Sequence, residues 1–146
     1  AKGGFGYMHV NDGTTTQKAG TTATNYGAGG SKGGATGTKS IAGGVNAQAT
    51  GNASIAMGFA ANASGDSAIA QGSQAVASKI GAIATGSSVT ASGQNAIALG
   101  VSSTASERNA IAIGNQVQVN KSLSIAMVTL FVLLAKTPSL WAKVVG

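Results

Sequence analysis

The apolar positions of this chain keep one strict period. Isoleucine stands at Ile41, Ile55, Ile69, Ile83, Ile97, Ile111 and Ile125, every 14 residues, with no insertion or deletion. Alanine follows each of them, from Ala42 to Ala126. Glycine comes three residues after the isoleucine, at Gly44, Gly58, Gly72, Gly86, Gly100 and Gly114, and Val128 takes its place in the last copy. Between the isoleucine copies lies a second small-x-small pattern: Ala47/Ala49, Ala61/Ala63, Ala75/Ala77, Val89/Ala91, Ser103/Ala105 and Val117/Val119. A unit of 14 residues is too short for a helix pair. It fits two short strands and two turns, which is one coil of a β-solenoid.

Side chains alternate across a strand, so each parity belongs to one face. In the second strand of the unit, the Ala47/Ala49 parity is small or apolar apart from Ser103. The opposite parity is polar, as in Gln48, Asn62, Thr90, Thr104 and Gln118, with Ala60 and Val76 as exceptions. One face of this strand therefore meets solvent and the other the coil interior. In the first strand the small parity is the Ala42/Gly44 series. A 14-residue coil has little interior volume, so the small set is predicted to point inward and the isoleucines outward. An exposed row of seven isoleucines is a large apolar stripe, and such stripes mark association. Each isoleucine buried there contributes about 1.5–3 kcal/mol. The expectation is an oligomer with Ile41, Ile55, Ile69, Ile83, Ile97, Ile111 and Ile125 on its axis. A closed cyclic trimer suits a narrow rod, and a dimer is the alternative.

The glycines read as corners. Gly44 and its five equivalents end the first strand, where a tight corner needs positive φ or no Cβ. Gly51, Gly65 and Gly93 do the same after the second strand, where Lys79, Glu107 and Lys121 stand in other copies. Gly43 and Gly81 fall off these phases. With strands about 4.8 Å apart, seven coils make a rod on the order of 33 Å long.

Composition narrows the class. Glycine supplies 23 of 146 residues, charged residues only 8% and aromatic residues 4%, with no cysteine and one proline. Collagen needs glycine at every third position and abundant proline, and a disulfide scaffold needs cysteine. The net charge of +6 is spread thinly. No run of like charges forms a nucleic-acid patch, so no nucleic-acid partner is expected; a mild preference for anionic surfaces fits the same charge. No apolar run reaches the length of a membrane span.

Both ends break the pattern. Residues 1–39 are rich in Gly, Thr and Lys without a 14-residue period. They are expected to form a flexible arm, or an extended one that orders against a partner or neighbouring subunit through Phe5, Tyr7 and Met8. The repeat domain is assigned to residues 40–127. After it, Phe131 and Leu133 fall at the register of Ala47 and Ala49 and are too large for the coil interior, so the roll should stop there. Residues 128–146 are expected to cap the open end, or to dock on a partner through Phe131, Leu134 and Trp141.

The segments Asn52-Ala-Ser-Ile-Ala-Met-Gly58, Asn95-Ala-Ile-Ala-Leu-Gly100 and Asn109-Ala-Ile-Ala-Ile-Gly114, with Ala61-Asn-Ala-Ser-Gly65, resemble the head repeat of YadA-type trimeric autotransporter adhesins. The resemblance covers about residues 40–127. It implies an all-β fold, a left-handed parallel β-roll of 14-residue coils in a homotrimer, displayed on an outer surface. Heads of that family bind host cells or extracellular matrix such as collagen, and no binding residue carries over. The coiled-coil stalk, membrane barrel and neck of such adhesins have no counterpart in these 146 residues. The same repeat occurs in phage fibres and virion proteins. A capsid decoration or cement protein, or a tail-fibre trimer with phage capsid or tail proteins as partners, is therefore the alternative. It is preferred if the 146 residues are the whole gene product, and a start at Ala1-Lys-Gly-Gly suits a cytoplasmically made chain that lost its initiator Met.

Catalysis is not expected, because enzymes need convergent reactive groups. The chain has one histidine, His9, and three carboxylates. Asp66 and Glu107 are about three coils apart, roughly 14 Å along the stack. No Cys/His set offers a metal site, and no cofactor is expected. The stretches 27–33 and Gly37-Thr-Lys39-Ser40 lack the spacing of a phosphate loop.

Overall fold

The computed structural model describes residues 8–10 and 34–127. Phe5, Tyr7, Phe131, Leu134 and Trp141 lie outside the described residues. Over 34–127 the chain winds as a parallel β-solenoid of 14-residue coils. The first strand of each coil enters one sheet: β2 (Ile41–Gly43), β4 (Ile55–Met57), β6 (Ile69–Gln71), β8 (Ile83–Ser87), β10 (Ile97–Val101), β12 (Ile111–Asn115) and β14 (Ile125–Met127). The second strand enters the other: β3 (Gln48–Ala49), β5 (Asn62–Ala63), β7 (Val76–Ala77), β9 (Thr90–Ala91), β11 (Thr104–Ala105) and β13 (Gln118–Val119). The register is the sequence period itself: Ile41 pairs Ile55, which pairs Ile69, and so on to Ile125.

The space between the sheets is filled almost wholly by alanine. Ala42, Ala56, Ala70, Ala84, Ala98 and Ala112 from one sheet meet Ala49, Ala63, Ala77, Ala91 and Ala105 from the other, all fully buried. Val89, Val117 and Val119 are the only larger buried apolar side chains among the described residues. The polar exception, Ser103, is also fully buried. Its hydroxyl donates to the Gly114 carbonyl at 2.7 Å and accepts the Val117 N–H at 3.3 Å. Buried polar groups require such partners. Ser103→Ala removes both bonds and should lower stability by about 1–2 kcal/mol in urea unfolding; an unchanged midpoint would show that the two backbone groups find other partners.

The turns follow a second, shorter period. In one coil, the Ser54 N–H closes a turn on the Gly51 carbonyl and the Ala61 N–H closes another on Gly58. The third residue of each turn, Ala53 or Ala60, has a φ of 53°, as in type II turns. The same left-handed position recurs every seven residues: Lys39, Asn46, Ala53, Ala60, Ser67, Gln74, Gly81, Ser88, Asn95, Ser102, Asn109, Gln116 and Leu123. Gly81, off phase as a coil corner, thus fills a regular left-handed position with φ 66°. A hydrogen-bond ladder holds these residues in place. Ser67 donates its N–H to the Asn52 carbonyl at 2.7 Å, and Gln74 donates to Phe59 at 2.8 Å, each one coil back. Strained conformations persist where such surroundings over-determine them. Ala53 is exposed, so Ala53→Gly removes the strain of a Cβ at positive φ without loss of packing. It should raise stability by about 0.5–1 kcal/mol after the added entropy of the unfolded chain is deducted. A lower midpoint of chemical unfolding would contradict this.

The glycine column after the isoleucine strand has a different backbone, with φ between 117° at Gly100 and 134° at Gly114. A Cβ on Gly44 would sit 2.6 Å from the Gly58 carbonyl oxygen. Gly51, Gly65 and Gly93 have no positive φ. There the close approach of the next coil alone excludes a Cβ: one on Gly51 would collide with the Gly65 carbonyl.

The coil path begins before Ile41. Ala35 bridges Ala49 in parallel, the Ala49 N–H donates to the Gly34 carbonyl, and Ala35 is buried. Gly37-Thr-Lys39-Ser40 forms a coil turn, closed by the Ser40 N–H on the Gly37 carbonyl. Within the arm, β1 (Met8–Val10) pairs antiparallel with β2. Such a pairing leaves no periodic trace in the sequence.

Candidate assembly face and outer flank

With alanine inside, the isoleucines stand on the outer face of the first sheet. Ile41, Ile55, Ile69, Ile83, Ile97 and Ile111 are each half-buried, because stacked neighbours cover their edges. Ile125 ends the described stack and is 67% exposed. What stays uncovered along the row is the side facing away from the solenoid. Two residues on, the same face carries Met57, Leu99, Ile113 and Met127 beside Gly43, Gln71 and Thr85. The isoleucine row is apolar along its full length, and the column beside it is polar at Gln71 and Thr85 and apolar from Leu99 to Met127. No charged side chain stands in either, so nothing opposes close apposition of an identical face.

The outer face of the second sheet is its chemical opposite. Gln48, Asn62, Thr90, Thr104 and Gln118 line it, interrupted by Val76. The turn tips are mixed. One column holds Thr38, Asn52, Asp66, Ile80, Gln94, Arg108 and Ser122, and a short polar ladder runs along its start. There the Asp66 carboxylate accepts the Asn52 N–H at 2.9 Å, and the Asn52 Oδ1 accepts the Thr38 N–H at 3.3 Å. Asp66 is thus engaged in turn structure and lies in a different coil from Glu107. Among the described residues no group of three His, Cys, Asp or Glu side chains could hold a metal ion, and no helix is long and apolar enough to cross a membrane.

The other tip column holds Val45, Phe59, Ser73, Ser87, Val101 and Asn115. Val45, Phe59 and Val101, with Ile80 on the first column, are exposed large apolar residues. Strand parity alone does not find Val45, Phe59 and Ile80, because they belong to neither strand, whereas Val101 ends β10 on the parity of Ile97 and Leu99. Their signal is the turn phase, the residue just before each left-handed position.

A parallel solenoid with an alanine interior, an isoleucine ladder on one outer face and a polar face opposite is a stacked-coil repeat head. The family of the YadA head domain repeat matches residues 35–61, 63–88 and 91–116, just over half of the chain. The chain belongs to the YadA head repeat family, a structural repeat of surface-displayed adhesin heads. No curated protein matches the chain.

Proposed function

We propose that three copies of this chain pack their isoleucine faces around a common axis. They form a non-catalytic head displayed at an outer surface, which attaches to host cells or to extracellular matrix such as collagen. The observation that carries this reading is the outer isoleucine row, seven copies in one register with the alanines turned inward. The polar second sheet and the mixed turn tips then form the outside of the trimer and supply its attachment surface. Membership of an adhesin-head family supports the same reading.

Sedimentation equilibrium should give three times the chain mass of 14.0 kDa. A stable monomer would overturn the axis. The trimer should also be retained on immobilised collagen or on host-cell monolayers, and not on albumin. A trimer that binds neither collagen nor cells would overturn the attachment role and leave the virion structural reading in its place.

A further inference from the structure

A solenoid whose coils repeat without error has an assembly hazard at its ends. Each terminal coil presents the same ladder groups that join its internal coils, and unpaired edges template the addition of another chain. At the first coil the chain covers both edges, in two different ways. The second sheet's edge is met by the chain itself continuing the repeat, through the parallel bridge of Ala35 to Ala49. The isoleucine sheet is not continued in this way. One 14-residue step before Ile41 the sequence has Gly27, which offers a sheet neither a β-branched nor an apolar side chain. Instead β1 lies on β2 in the opposite direction, with Met8 opposite Gly43, His9 opposite Ala42 and Val10 opposite Ile41.

We propose that β1 is a built-in cap that occupies the edge a second copy of this chain would otherwise take, and so blocks head-to-tail growth of the solenoid. The geometry identifies the excluded occupant. The last described strand, β14, carries Ile125-Ala126-Met127 with the same facing as Ile41-Ala42-Gly43 in β2, so a second copy's β14 would continue the parallel ladder in register. Its coil is the most open of the stack, with Leu123 79% and Ile125 67% exposed. Along the stack each isoleucine N–H donates to the next coil, as Ile111 donates to the Ser124 carbonyl at 2.9 Å. The Ile125 N–H therefore points off the end of the described stack. The residue it would meet on a second copy is Ser40, the period equivalent of Ser124. Ile41 donates toward β4, so alternation turns the peptide groups of Ala42 toward β1 and His9. An antiparallel strand of three residues ends the ladder there, because the spacing of its hydrogen bonds differs from that of the parallel coils.

The test uses the full chain and point variants. His9→Pro removes the N–H opposite Ala42 and disfavours pairing. Ile125→Pro removes a donor directed off the far end and leaves the bond from Ile111 to Ser124 in place. Sedimentation velocity over a hundredfold concentration range should show one species for the natural chain. His9→Pro should give a ladder of species at whole multiples of that mass, growing with concentration. The double variant His9→Pro/Ile125→Pro should return to the single species. Circular dichroism with a natural-type strand signal establishes that each variant is folded. A folded His9→Pro chain that keeps the natural mass at every concentration would overturn the cap. Growth that persists in the double variant would overturn the head-to-tail geometry.

Discussion

Ile97→Asp should break the assembly into monomers, and Thr90→Asp should leave it intact. Ile97 lies mid-ladder, in register with Ile83 and Ile111, and its outer side faces the proposed axis. Losing its burial removes about 1.5–3 kcal/mol per chain, and the loss occurs three times in a trimer. The substitution also brings three carboxylates together in an apolar contact. Each charge taken out of water without a partner costs several kcal/mol more. Together these amount to on the order of 10 kcal/mol or more per trimer, comparable with the whole binding free energy of a tight complex, so dissociation should be complete at micromolar concentration. Thr90 lies on the polar outer face of the second sheet, in register with Val76 and Thr104. Changes at such positions usually fall within about 0.5 kcal/mol. Analytical ultracentrifugation of the two variants side by side decides the matter. If Ile97→Asp retained the natural mass, the isoleucine row would not be the subunit contact.

Ala84→Leu should be the most damaging change to the single coil. Ala84 is fully buried in β8, between Ala70 and Ala98 on the ladder. The interior is close-packed around methyl groups, and three added carbons have no space to enter. Overpacking costs about 1–3 kcal/mol in cores that can shift. This coil has little freedom to shift. The Ile69 N–H donates to the Ala82 carbonyl and the Ile83 N–H to Ala96, both at 2.9 Å, so widening one coil strains the coils on either side. The expected loss is about 3 kcal/mol or more, which for a domain of this size lowers Tm by on the order of 10 °C. Thermal unfolding followed by circular dichroism measures it. A Tm within two or three degrees of the natural chain, on the order of 0.5 kcal/mol on the same scale, would mean that the interior yields more readily than its alanine lining implies.

Much of this architecture is legible in the order of the residues, because a solenoid repeats each local decision at a constant interval. The 14-residue step sets the strand register. Within it, the contrast between Ala42 and Ile41 decides which face turns in, since a coil this short has room only for small side chains. Turn conformation was less visible. Lys39, Ala53, Ser67 and Leu123 share no side-chain chemistry, yet all adopt positive φ. The hydrogen-bond ladder from coil to coil imposes it and overrides their individual preferences. The exposed tips Phe59 and Ile80 follow from the same turns and are hidden for the same reason.

The solenoid, its period, its alanine interior and its outward isoleucine ladder can all be read from residue order, because each depends on side-chain size and spacing along the chain. The seven-residue rhythm of left-handed turns, the start of the coil path at Gly34 and the antiparallel closure of β2 by Met8–Val10 emerge from contacts between segments distant in the chain. The turns are set by backbone contacts one coil away, which tolerate many side chains. The closure joins segments more than thirty residues apart, and a single pairing of that kind leaves no pattern along the chain.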